Sequence, residues 1–155
     1  SQMRLLIIAI GRARAGPESV MFKHYCERIN AWTVTLIEKE LRKKTDINKI
    51  ATAESELLMK TIPKGAFIVA LDEHGKELPS RKFTELLNEL STLGNKEIVF
   101  IIGGANGLSP LIRERADRVI SLGRMTWPHM LVRVLLIEQI YRAQQIKIGH
   151  PYHRD

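Results

Sequence analysis

This 155-residue chain holds one cysteine, Cys26, so no internal disulfide can form and a reducing compartment suits it. The cytoplasm is the expected location. No stretch approaches the roughly 18 apolar residues that span a bilayer. The run Leu5 to Ile10 is also too short for a secretion-signal core followed by a cleavage site, so no membrane role is expected. Neither common nucleotide-binding pattern is present. Gly103, Gly104 and Gly107 do not make GxGxxG, and Gly11-Arg12-Ala13-Arg14 fits neither that motif nor GxxxxGK[ST]. His150 and His153 stand three apart, but without CxxC or HExxH no metal site is expected. Internal repeats, linkers and low-complexity tracts are missing as well. Acidic residues are outnumbered, 17 against 24 Lys and Arg, for a net charge of +7. Such a balance fits attraction to a polyanion such as nucleic acid, and equally a solvated basic surface. Arg42, Lys43, Lys44 and Lys49 form one basic cluster. Arg113, Arg115, Arg118, Arg124, Arg133 and Arg142 crowd the last third.

What remains is the composition of one globular domain, 45% hydrophobic and 26% charged. Ser1 and Gln2 precede Met3 and are read as an expression remnant, so the single domain is expected over 3–155. Arg4 to Ile10 predicts a strand buried on both faces, and Gly16-Pro17 opens a helix to about Asn30. Thr33 to Glu38 alternates as a second strand, followed by a basic loop, Lys39 to Lys44. Thr45 or Asp46 then caps a helix with Ile47, Ile50, Leu57 and Leu58 on its apolar face, ended by Pro63-Lys64-Gly65. Phe67 to Leu71 is a third strand and Asp72 to Pro79 a polar turn, in which His74 is a simple turn residue. Ser80 caps a helix carrying Phe83, Leu86, Leu87 and Leu90, closed by Gly94. Ile98 to Ile102 is the fourth strand, Ser109-Pro110 starts a short helix, Arg118 to Ser121 is the fifth strand, and Pro128 to about Ile146 is the last helix. Trp32 and Phe22 read as core.

Alternation of this kind predicts an α/β fold, a mainly parallel sheet flanked by helices. Ligands in such sheets bind beyond the carboxyl ends of the strands. Three segments end there: Leu71-Asp72, the glycine turn in IIGGANG, and the loop Leu122 to Trp127 before Pro128. Glycine either gives a ligand access to bare backbone or merely supplies positive φ to a turn. The last helix is apolar on more than one side, through Met130, Leu131, Val132, Val134, Leu135 and others. A helix of that kind is central or shared with a second copy, so a homodimer is expected.

The segments IIGGANGLSP, LGRMTWPHMLVRVLLIEQIYRA and HPYHRD, together with LDEHG and a first strand ending in Gly11, carry a resemblance. The chain resembles the bacterial large-subunit (23S) ribosomal RNA pseudouridine N3-methyltransferases, small members of the SPOUT class. The likeness is most specific from Ile101 to Asp155. It implies a C-terminal trefoil knot, which rules of chain connectivity alone would have excluded. It also implies S-adenosylmethionine as methyl donor, a homodimer, and 23S rRNA in the assembled ribosome as partner, with no DNA. By the same resemblance Leu71, Gly103 and the loop Leu122, Gly123, Arg124, Met125, Thr126 and Trp127 hold the donor. Most of these contacts are expected from backbone and apolar groups. Related proteins often have serine at the place of Gly123, a change that a backbone contact survives. Arg124 and Trp127 are carried over by position only.

The resemblance further marks Tyr152, His153 and Arg154 as catalytic: Tyr152 to stack on a base, His153 to assist proton removal, Arg154 to bind a phosphate or carbonyl. His129 and Arg133 are read as fixing loop backbone. Two other classes compete with an rRNA methyltransferase. A non-catalytic basic RNA-binding α/β module would keep the charge and lack affinity for the donor. A small-molecule enzyme of flavodoxin-like topology would need a phosphate loop that is not evident.

Overall fold

In the computed structural model, which describes residues 2–155, five parallel strands form one sheet in the order β2-β1-β4-β3-β5. The strands are β1 (Arg4–Ile10), β2 (Thr33–Lys39), β3 (Phe67–Glu77), β4 (Glu97–Ile102) and β5 (Arg118–Ser121). Between and after them run α1 (Pro17–Cys26), α2 (Ile47–Thr61), α3 (Ser80–Thr92), α4 (Pro110–Arg115) and α5 (His129–Lys147). The expected α/β fold is therefore present.

Period-two alternation explains the layers. Leu5, Ile7 and Ala9 point to one face, where they pack with Phe83 and Leu87 of α3 and Leu136, Ile137 and Ile140 of α5. Leu6, Ile8 and Ile10 point to the other face, against Leu58 of α2 and Ile112 of α4. A strand apolar at every position needs both faces covered, and here both are.

Several elements differ from what the sequence predicts, each for an identifiable physical reason. Helix α1 stops at Cys26 rather than near Asn30. The buried amide of Gln144 accepts from the N–H groups of Asn30 and Ala31 and donates to the carbonyl of Arg28, so a long-range side chain replaces the last helical turn. Ile47 is exposed although it shares a helical face with Leu58. Eleven residues place it about 16 Å farther along the axis, where α2 overhangs its core. Ser80 is not the cap: Pro79 holds that place, and the Ser80 hydroxyl donates to Gln139 Oε1 of α5 at 2.7 Å.

The largest difference lies in the segment expected to be a polar turn. Strand β3 continues to Glu77, and both Leu71 and Lys76 pair with Ile120, so Asp72 to Gly75 bulges from the sheet. Gly75 permits this. A Cβ there would lie 2.7 Å from the carbonyl carbon of Ile120, closer than any side chain tolerates.

Helix α5 packs between α1 and α3, which covers much of its apolar girth within one chain. Leu131 stays exposed on its surface. Near its start the buried Arg133 guanidinium pairs with Glu38 at the end of β2. The same group donates to the carbonyls of Ile10 and Gly11 at 3.0 and 2.7 Å. Glu38 also accepts from the N–H of Ala13 at 2.6 Å. Replacing Arg133 with Met should lower stability by about 3 kcal/mol, because it strands a half-buried carboxylate and two carbonyls. Chemical denaturation should show Glu38→Gln to be milder, since an amide oxygen still accepts from both donors.

Candidate functional site

Because every strand is parallel, the loops after β3, β4 and β5 leave the same edge of the sheet, and they enclose a cavity of about 720 Å³. Leu71, Ile102, Leu122 and Val132 give it apolar walls, and Gly103 to Gly107 supply backbone. The turn is built on itself: the Gly107 N–H donates to the Gly104 carbonyl at 3.0 Å, and Gly107 has φ of 74°. A Cβ on Gly103 would come 3.0 Å from the backbone of Gly107 and from Leu108. A side chain at Gly103 would thus press on the turn itself, which would have to give by a few tenths of an ångström.

Ser121 shapes the third loop. Its buried hydroxyl donates to the Gly123 carbonyl at 2.7 Å and accepts from the Gly123 N–H at 3.1 Å. Beyond this clamp Gly123, Met125, Thr126 and Trp127 face the cavity, while Arg124 is exposed and does not line it. Of the expected donor-binding residues, the structure gathers Leu71, Gly103, Leu122, Gly123, Met125, Thr126 and Trp127 around one space.

The β3 bulge adds a polar rim, of which the sequence placed only Asp72 at this edge. Asp72 accepts from the His74 N–H at 2.8 Å and lies 3.5 Å from Arg113. Glu73 accepts from the Thr126 hydroxyl at 3.0 Å, joining the first loop to the third. The segment LDEHG at a strand's carboxyl end was the available signal for Asp72 and Glu73. Arg113 was marked only as one of the arginines crowding the last third, and the seating of α4 is what brings it to the rim.

His129 lines the cavity at the start of α5, and burial, followed by the nearby charge of Arg133, holds its pKa below the ordinary 6.5. Contrary to what the sequence suggests, neither His129 nor Arg133 bonds to the backbone of the loop before Pro128 among the described residues: Arg133 reaches the carbonyls of Ile10 and Gly11 at the end of β1 instead.

The tail lies elsewhere: Tyr152, His153 and Arg154 do not line the cavity of their own chain. The Tyr152 ring meets Tyr141 edge-on at 4.9 Å and sits under Arg142 at 4.7 Å. Its hydroxyl donates to Glu138 at 3.2 Å, and burial first, then Tyr25 and Glu138, raises its pKa and keeps the phenol protonated. His153 contacts Arg142 at 3.1 Å and Asp155 at 3.0 Å, and Asp155 pairs with Arg81 at 2.6 Å. Arg154 is exposed. Among the described residues no group of three or more His, Cys, Asp or Glu is placed to hold a metal ion, and no helix is long and apolar enough to cross a membrane.

A parallel α/β sheet with an apolar, glycine-edged cavity at its carboxyl edge defines an α/β protein whose cavity lies where such sheets take small ligands. The particular family follows from comparison: the family model described as "Predicted SPOUT methyltransferase" matches residues 3–153, and the chain belongs to that family. It is 49% identical over 152 residues to the ribosomal RNA large subunit methyltransferase H of Paramagnetospirillum magneticum, covering 98% of this chain and 99% of that protein. The same identity and coverage hold for the protein of that name from Rhodospirillum centenum. The one from Rhodospirillum rubrum is 47% identical over the same share of each chain.

The lowered pKa of His129 makes a prediction with a definite sign. Its native form binds a proton less readily than the unfolded chain does, so stability should decline as pH falls below about 6.5. Urea unfolding of His129→Gln should show a smaller loss between pH 7.5 and about 5.5 than the parent shows.

Proposed function

We propose that this protein transfers the methyl group of S-adenosylmethionine to N3 of a pseudouridine in 23S ribosomal RNA, on the assembled ribosome in the cytoplasm. The observation that carries this reading is the cavity at the carboxyl edge, in a chain of the SPOUT family whose relatives are named large-subunit rRNA methyltransferases. The donor's chemistry fits the lining. Leu71, Ile102, Leu122 and Val132 suit an adenine ring, and the carboxylates of Asp72 and Glu73 suit the sulfonium and ammonium charges.

When bound, the donor supplies an electrophilic methyl group. The N3–CH₃ bond forms as the S–CH₃ bond breaks, the bonding pair stays on sulfur as a neutral thioether, and the N3 proton leaves to a base. Alignment is the main task of the protein, so rigid backbone walls matter more than a strong base. The tail supplies the remaining groups in this reading: Tyr152 to stack on the base, His153 to take the proton, Arg154 to hold a phosphate or carbonyl. Since the tail packs beside α5 away from its own cavity, it serves the cavity of a second copy, which makes the working form a homodimer. The same reading includes a trefoil knot, with the segment after β5 threaded through a loop. A preformed ribosomal site offers a chain of this size recognition by shape, which it has little surface to achieve along a bare strand.

Calorimetry with S-adenosylmethionine tests the donor site. Binding should be present, and Gly103→Val should weaken it by about tenfold or more, equivalent to about 1.4 kcal/mol, while the protein still unfolds cooperatively. Tight binding by a folded variant removes the cavity from the reading, and no binding by the parent leaves a non-catalytic RNA-binding module. For the reaction, mass spectrometry of rRNA should find methylpseudouridine missing from cells that lack the gene and restored when protein and donor are added to their ribosomes. Deleting His150 to Asp155 should abolish that restoration and spare donor binding; full turnover without the tail would discard its assigned role.

A further inference from the structure

The two loops that follow β1 and β2 are joined at their roots. Ile10 pairs with Lys39, and the Gly11 N–H donates to the Lys39 carbonyl at 2.7 Å. Side by side, these loops and the first turn of α2 carry Arg12, Arg14, Arg42, Lys43, Lys44 and Lys49, all exposed. Glu40 and Asp46 are the acidic residues in the same stretches. Among the described residues only Arg12 of the six pairs with a carboxylate, that of Glu40 at 2.7 Å. That pair is well exposed and neutralises little. Much of the chain's excess positive charge is therefore concentrated at one edge of the sheet.

That edge is also the edge of the cavity, because in a parallel sheet the loops after every strand emerge together. The two features adjoin. A Cβ on Gly11 would lie 3.5 Å from His129 Nε2, and His129 lines the cavity. The β1–α1 loop is held in place by Ala13 on Glu38 and by Arg133 on the Gly11 carbonyl, and the Thr45 hydroxyl folds the second loop onto the Lys43 carbonyl at 3.1 Å. The charges thus sit on loops with fixed roots, leading away from the cavity mouth toward the β2 edge.

We infer that this strip is a phosphate-binding track for the RNA strand that carries the target base, so that the RNA enters the cavity from the β2 side. The inference rests on ribosomal RNA being the substrate. Phosphate contacts of this kind position a strand without reading its sequence, and they release counterions. Base placement is left to the cavity and the tail.

The test replaces Arg42, Lys43 and Lys44 together by Glu. A control makes the same charge change in Lys60, Lys64 and Lys96, exposed residues at the opposite end of the sheet. Affinity for ribosomes is measured by co-sedimentation over a range of salt, which needs no turnover, alongside methyl transfer and donor calorimetry. The strip variant should bind ribosomes at least about tenfold more weakly at 0.1 M salt, with a logarithmic salt slope shallower by about 2. Its methyl transfer should need more ribosome for half-maximal rate, and its donor affinity should match the parent's. Equal weakening in the control would show that net charge alone acts, and unchanged ribosome affinity would show that RNA does not use the strip; either overturns the inference. Loss of ribosome affinity with undiminished binding to a single-stranded RNA oligonucleotide would assign the strip to an acidic protein and overturn it as well. No transfer by the parent, with the binding difference intact, would instead count against the methylation reading alone.

Discussion

A single buried guanidinium ties the carboxyl edge of the sheet to the last helix. Arg133 reaches from α5 to Glu38 on β2 and to the carbonyls of Ile10 and Gly11 on β1, and Glu38 in turn holds Ala13. Strand ends leave backbone carbonyls unpaired, and burying them without donors would be costly. One side chain meets two of them and neutralises a carboxylate at the same point. The start of α5 is thereby set at the place where the loops after β1, β4 and β5 come together, and His129 and Val132 become part of the cavity wall.

The cavity and the basic strip share this edge for a topological reason. Parallel strands deliver all their following loops to one side, so a small sheet can set a cavity beside a strip of basic side chains. The cavity owes its polar rim to the β3 bulge, which exists because Gly75 lets β3 pass within contact of the Ile120 backbone. Without the bulge Asp72, Glu73 and His74 would lie in the ladder, and the link from Glu73 to Thr126 across the mouth would not form.

Much of this was legible in the residues. Strand β1 and strand β5 have the bounds that their patterns indicate, and for β1, buried on both faces, there is little freedom in where it stops. Leu71, Gly103 and the loop from Leu122 were placed together because each lies at or just after the carboxyl end that its strand's apolar run indicates. The end of α1 was not legible, because the group that terminates it is Gln144, more than a hundred residues away in sequence. Ile47 misled for a related reason: helical periodicity reports which face a residue takes, and says nothing of where the opposing core ends.

By itself the sequence determined the layers, the mainly parallel sheet and the edge at which the cavity opens, because these follow from local periodicity and from glycine and proline chemistry. Its motifs also carried the resemblance that the SPOUT match to residues 3–153 bears out. Only the tertiary structure decided that Gly103 serves the turn as well as any ligand, that Arg124 stands outside the cavity, and that the tail is tied to Tyr141, Glu138 and Arg142 away from it. Those facts depend on distances between residues far apart along the chain, which are set by how helices seat on the sheet and by which buried polar groups find partners.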